Sequence, residues 1–132
     1  MPMKDYNGHE PNTFVAGADL SSQAIYSAMK LHSTENQVVV CAADTDICIG
    51  VLLNQPGSGE GAQVQPLIPG DTIPFIANEA ISLAAKIGVV SHRATDATLT
   101  AGDTLYGVAR EAAAAQDDLF GVFITGVALE HD

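Results

Sequence analysis

One phrase occurs twice in this chain, and it limits the available folds more than any other feature. Asp103-Thr104-Leu105-Tyr106-Gly107-Val108-Ala109 repeats Asp46-Ile47-Cys48-Ile49-Gly50-Val51-Leu52, with an Asp four residues before each Gly-Val. The echo extends on both sides. Ala28–His32 lines up with Gly88–His92, Val38–Val40 falls on Thr98–Thr100, and Ala62–Gln65 corresponds to Phe120–Phe123. A period of nearly half the chain means two similar β units, because a solenoid needs three or more stacked repeats. The two units are expected to share one core.

The second occurrence opens the clearest ribbon. Leu105–Ala109 and Leu119–Ile124 are short apolar runs bounded by Gly and Asp, the pattern of strands and turns. The Ala112–Ala115 run between them favours helix by propensity, but four uncapped residues cannot hold one alone. A β-ribbon with a wide connection is therefore expected. Val38–Cys41 is a β-branched strand, and Ile47–Leu53 follows the Asp44-Thr45-Asp46 turn. Gln63–Leu67 is strand-like beyond the Gly-rich loop Asn54–Gly61. Ile68–Pro74 crosses between the units, its prolines keeping it out of a central strand. Phe75–Ala77 and Thr98–Thr100 are short β pieces. Ala24–Leu31 fits helix or strand. Ala80–Val90 is the best helix candidate, although the echo with the first unit favours a turn and strand at its end.

The fold class expected is mainly β: a compact β-barrel or sandwich-like single domain of two similar units, with at most one or two short helices. Residues 1–18 show no periodicity and read as an extended N-terminal arm. Residues 19–126 form the β domain, and 127–132 a C-terminal tail.

Two longer stretches carry a resemblance. The run IGVLLNQPGSGEGAQVQPL, followed by LTAGDTLYGVAREAAAAQDDLFGVFITG, is similar to the small capsid decoration, or cement, proteins of tailed bacteriophages. Many of those share a strand with IGV, a glycine-rich gap, a V-x-V strand and a GVALEAAAAGD phrase before a last strand. The likeness covers roughly residues 24–126 and favours a strand for Ala24–Leu31. It departs at Arg110, where the family often has Leu, and over residues 1–18, which have no counterpart. The resemblance implies a noncatalytic protein on the outer capsid surface of the virion, made in the host cytoplasm. It would bridge neighbouring copies of the major capsid protein. It also implies a homo-oligomer, with trimers around threefold or quasi-threefold positions.

Composition narrows the rivals. Five Lys and Arg stand against sixteen Asp and Glu, a net charge of −11. Nucleic-acid binding needs a basic face to neutralise phosphates, and an anionic membrane surface would repel this chain. No run approaches the roughly 18 consecutive apolar residues of a membrane helix, and the first residues lack the apolar stretch of a secretory signal. Aromatics make up only 5%, few for stacking sugars or bases. Cys41 and Cys48 are expected as free, buried thiols, the state favoured in a reducing compartment.

No catalytic, cofactor or metal site is expected. His32 and His92 fall at matching positions of the repeat, yet no His-x-x-x-His or comparable spacing accompanies them. Asp44-x-Asp46 resembles part of a calcium loop but lacks its glycine and distal glutamate. The loop at Gly57–Gly61 lacks the Gly-Lys-Ser/Thr ending of a phosphate cradle. Serines lack the Gly-x-Ser-x-Gly context. The candidate binding residues are Tyr6, Phe14 and Val15, apolar side chains of the arm that could lie on the capsid or a neighbour. Rival readings are a head-fibre base, a tail-tube subunit expected to form rings by itself, or a small hydrolase or sugar-binding module.

Overall fold

The computed structural model describes residues 12–43, 46–97 and 104–129, and among these every regular element is a strand. The first half holds β1 (Asn12–Ala16), β2 (Ala28–Leu31), β3 (Gln37–Val40), β4 (Gly50–Leu52) and β5 (Gly61–Pro66). They close into a barrel in the order β1-β3-β2-β4-β5. The second half holds β6 (Thr72–Ile76), β7 (Lys86–Val90), β8 (Arg93–Asp96), β9 (Thr104–Ala109) and β10 (Leu119–Leu129). Its sheet runs β6-β10-β9-β7-β8.

These are the same arrangement. Read around the ring, each unit places its strands first, third, second, fourth, fifth. Every pairing is antiparallel except that of first with third. In the first unit β1 and β3 pair in parallel at Val15–Gln37 and Ala16–Val38. In the second a lone parallel bridge, Ala77 to Ala94, stands in that place, so this unit is a curled five-stranded sheet whose edges touch at that bridge alone, a second barrel in outline and not a fully paired one.

The register confirms the duplication residue by residue. Gly50 lies opposite Met29 and Pro66, and Gly107 opposite Ile87 and Ile124. A Cβ on Gly50 would collide with the Gln65 carbonyl, and one on Gly107 with the Phe123 carbonyl. The repeated Gly-Val phrase thus marks a close approach of neighbouring backbones that only glycine permits. The turns match too. Tyr26 and Ala84 both adopt positive φ, 74° and 67°, and their amides donate to Leu52 and Ala109. Gly59 and Asp117 both have positive φ and donate to Ala16 and Ala77. Beside them, Glu60 accepts from the Gly57 amide at 2.6 Å and Asp118 from the Ala115 amide at 3.1 Å.

Each interior is filled by alternate residues of its own strands, as the period of a β-strand requires. Phe14, Ala16, Leu20, Met29, Val38, Leu52, Ala62 and Val64 pack in the first barrel. Phe75, Ala77, Ile81, Ile87, Ala94, Ala109, Phe120 and Val122 occupy the equivalent places in the second. The sizes trade off. Phe120 replaces Ala62, while Ala94 and Ala109 replace Val38 and Leu52, so a large gain is offset by two losses. Cores accept such volume-conserving exchange best.

Three sequence expectations need correcting. Of the arm expected over residues 1–18, Asn12–Ala16 is instead the strand that closes the first barrel, pairing β5 on one side and β3 on the other. Both partners are distant in sequence, so no local pattern announces it. The helix candidate Ala80–Val90 is a bridge, a turn and a strand. Ile81 and Ala113 exchange backbone hydrogen bonds, Ala84 turns at positive φ, and β7 begins at Lys86. The third correction concerns the repeat. Ala62–Gln65 matches Phe120–Phe123 as read, but Met29 corresponds to Ile87 and Val38 to Ala94. Both shifts are by an even number of residues and so preserve the inward faces, and the one at β3 is the larger because the loop after β2 is longer than the tight Ser91-His92 turn. Thr98–Thr100 lie outside the described residues.

Because β1 supplies pairing to both its neighbours, deleting residues 1–18 is expected to abolish cooperative unfolding. Phe14→Ala should cost about 2 kcal/mol, at the lower end for a large-to-small change because the ring is only half-buried. Denaturant titration followed by circular dichroism measures both. An unchanged midpoint after the deletion would show that β1 is dispensable.

Candidate functional site

The two units meet end against side. The mouth of the second barrel, carrying Val89, Tyr106 and Ile124, joins one apolar cluster with Ala28, Cys41, Cys48 and Val51 on the outer side of the first. A phenol inside such a cluster must find partners for its hydroxyl. Tyr106 Oη accepts from the Cys48 amide at 2.8 Å and donates to the Asp46 carbonyl at 3.1 Å. Burial pushes this phenol well above its ordinary range. At the edge of the contact, the His92 carbonyl accepts from the Ala28 amide at 3.0 Å.

The segment between Cys41 and Cys48 forms one side of the junction. Asp46 Oδ2 accepts from the amides of Ala42 and Ala43 at 2.8 and 2.9 Å and from Lys30 Nζ at 2.9 Å. These bonds, the two backbone ones foremost, hold its carboxyl down at about 2. Both cysteines are free and buried. Cys48 Sγ donates to the Gly50 carbonyl at 3.3 Å. The Cys41 thiol is pushed strongly up by its hydrogen bond with Cys48 and by burial. Thiols in that state are poor nucleophiles.

Above the junction the units leave a cleft of about 400 Å³. Tyr26, Val51, Leu53 and Gln65 form its first wall, and Asp71, Thr72, Ile73 and Pro74 its second. A smaller depression of about 220 Å³ shares Thr72 and Pro74 and reaches Leu119, Gly121 and Glu111. Arg110 Nη1 donates to Thr72 Oγ1 at 2.7 Å beside both.

The outer surface carries five exposed large hydrophobic side chains among the described residues: Leu31, Ile47, Leu83, Leu119 and Phe123. Their positions matter more than their number. Leu31 sits opposite Val38 at the mouth of the first barrel and Ile47 follows Asp46, which is tied to the neighbouring Lys30, whereas Phe123 pairs with Val108 on the outer side of the second.

The sequence-derived candidates separate. Phe14 packs on the first barrel core, Val15 is half-buried in β1, and Tyr6 lies outside the described residues. His32 and His92 do not share a site. The His32 ring nitrogen accepts the Thr34 amide at the open mouth, while His92 lies at the junction, its imidazole held below the ordinary range by burial and by Arg93. No three His, Cys, Asp or Glu side chains gather to hold a metal among the described residues. Asp44 lies outside them. Sequence reasoning missed the role of Tyr106. The available signal was a tyrosine on an apolar strand of an aromatic-poor chain, whose hydroxyl needs a partner.

Two expectations follow. Tyr106→Phe leaves the Cys48 amide and the Asp46 carbonyl without that partner, so it should lower stability by about 1–3 kcal/mol in chemical denaturation. Retention of full stability would show that the hydroxyl contributes nothing. For Asp46, a folded value of about 2 against the ordinary 3.8 means that folding favours the charged form. Its contribution is therefore present above pH of about 4 and lost as pH falls towards 2. Asp46→Asn should lower Tm by a few degrees at neutral pH, and the gap to wild type should close over that acid window. A gap independent of pH would sink this assignment.

No family model matches this sequence, and no curated protein matches it either.

Proposed function

We propose that this protein is a noncatalytic capsid decoration, or cement, protein that binds the outside of a phage head. The reading begins from the resemblance over residues 24–126. The observation that carries it is the fixed union of two like β units through a buried junction. A cement must hold neighbours at a set separation. Two attachment surfaces on one body do so, because the first contact raises the effective concentration for the second.

An expanded shell is pushed outward by packed, like-charged DNA. A protein that binds only the intact lattice stabilises it by mass action, and repeated copies multiply a modest contact. The partner on this reading is the major capsid protein, with copies of the chain associating as homo-oligomers. The acid excess would keep decorated particles apart in solution. Exposed Leu119, beside the smaller depression, offers an apolar contact to the shell. Of the arm residues Tyr6 is retained as a proposed capsid contact, since Phe14 and Val15 belong to β1.

A major capsid gene found beside this one would be the first support, and expanded heads assembled from such a capsid protein provide the test. The protein should bind them saturably and raise their melting temperature, and Leu119→Glu should weaken binding about tenfold, the loss of one buried Leu side chain. A folded protein that leaves such heads undecorated overturns the reading.

A further inference from the structure

The duplication leaves one contact unrepeated. Within the chain, the mouth of the second barrel is seated on the outer side of the first. That packing joins unlike surfaces, so it leaves one copy of each uncovered: the mouth of the first barrel and the outer side of the second. A head-to-tail contact of this kind can continue from molecule to molecule.

The exposed apolar side chains fall on those two surfaces. At the covered mouth Val89 is 3% exposed, whereas its counterpart Leu31 is 57% exposed and nearby Ile47 51%. On the covered side, Ala28 and Val51 are fully buried. Their row continues to Gln65, and the matching row of the second unit is Lys86, Val108 and Phe123. There Phe123 is 38% exposed and Val108 half-buried. Leu83, 66% exposed, belongs to the turn that corresponds to the Tyr26 turn packed in the junction.

We infer that copies of this chain associate head to tail, the mouth around Leu31 and Ile47 of one seating on the Val108–Phe123 face of the next. The occupant of each surface is a second copy, and the joint repeats the packing already present between the halves. The inference concerns the free protein and stands whether or not the protein decorates capsids.

Sedimentation velocity and native mass spectrometry on the full chain test it without heads. Wild type should show concentration-dependent oligomers. Leu31→Glu and Phe123→Glu, both at exposed positions, should each keep the wild-type Tm and weaken association about tenfold or more. Mixing the two variants is decisive. One retains a sound side and the other a sound mouth, so together they should form a one-to-one dimer that neither forms alone. Closed rings of wild type would support the joint while turning the function towards a tail-tube subunit. A wild type monomeric at every attainable concentration overturns the inference. So does a pair of variants that fails to complement, which is the result expected of a symmetric interface.

Discussion

Everything in this fold depends on how the second barrel is tied to the first. A barrel of five short strands encloses a small interior, and small cores stabilise weakly on their own. Seating one mouth on the other's flank buries a second apolar layer containing Ala28, Cys41, Cys48 and Val51. The Tyr106 hydroxyl gives this layer direction. Apolar contact tolerates sliding, but a phenol that accepts from the Cys48 amide and donates to the Asp46 carbonyl fixes one position. The same segment is braced from behind by Asp46, whose carboxylate gathers Lys30 and two backbone amides. Chain reversal, salt bridge and buried hydroxyl form one assembly.

The two units diverged where their surroundings differ and stayed alike where the backbone allows no choice. Gly50 and Gly107 are the second kind, since any Cβ would strike a neighbouring carbonyl. So are Tyr26 and Ala84, which hold the same left-handed turn although neither is glycine. Such a conformation costs a non-glycine residue of order 1 kcal/mol. In each unit it is held by an amide bond to the fourth strand. At the position before the central glycine, Ile49 stands in the free mouth and Tyr106 in the occupied one. The polar handle appears only where there is a partner to reach.

These features decide what was legible in the sequence. Gly-Val and its flanking residues gave away the duplication because a steric demand leaves little freedom in residue type. The β class followed from short apolar runs between turn residues. What stayed hidden was long-range. β1 has two strand partners far along the chain, and its five residues carry no mark of either. Ala80–Val90 looked helical because Ile81, Ala84 and Ala85 share a helical face, yet Ala84 sits at positive φ and Ile81 bridges Ala113. Of the arm candidates, Phe14 and Val15 were apolar for the barrel's sake. Tyr106 was read as one more strand residue, since a tyrosine's partner is chosen by the tertiary fold.

A duplicated domain whose halves pack mouth to side differs in one respect from a symmetric pair. A twofold contact satisfies the same surface on both halves and leaves nothing over. A directional contact uses a mouth from one half and a side from the other, so the unused mouth and side are still apolar by descent unless substitution has made them polar. Some substitution has occurred here: Lys86 stands where the covered row has Ala28, and Glu35 lies in the loop at the open mouth. It is incomplete, because Leu31, Ile47, Leu83 and Phe123 remain exposed. A single exposed apolar residue on a surface needs no explanation, whereas grouped ones mark interaction sites. What calls for one here is that these fall on the two surfaces left open by the junction, which is what a continuing contact requires.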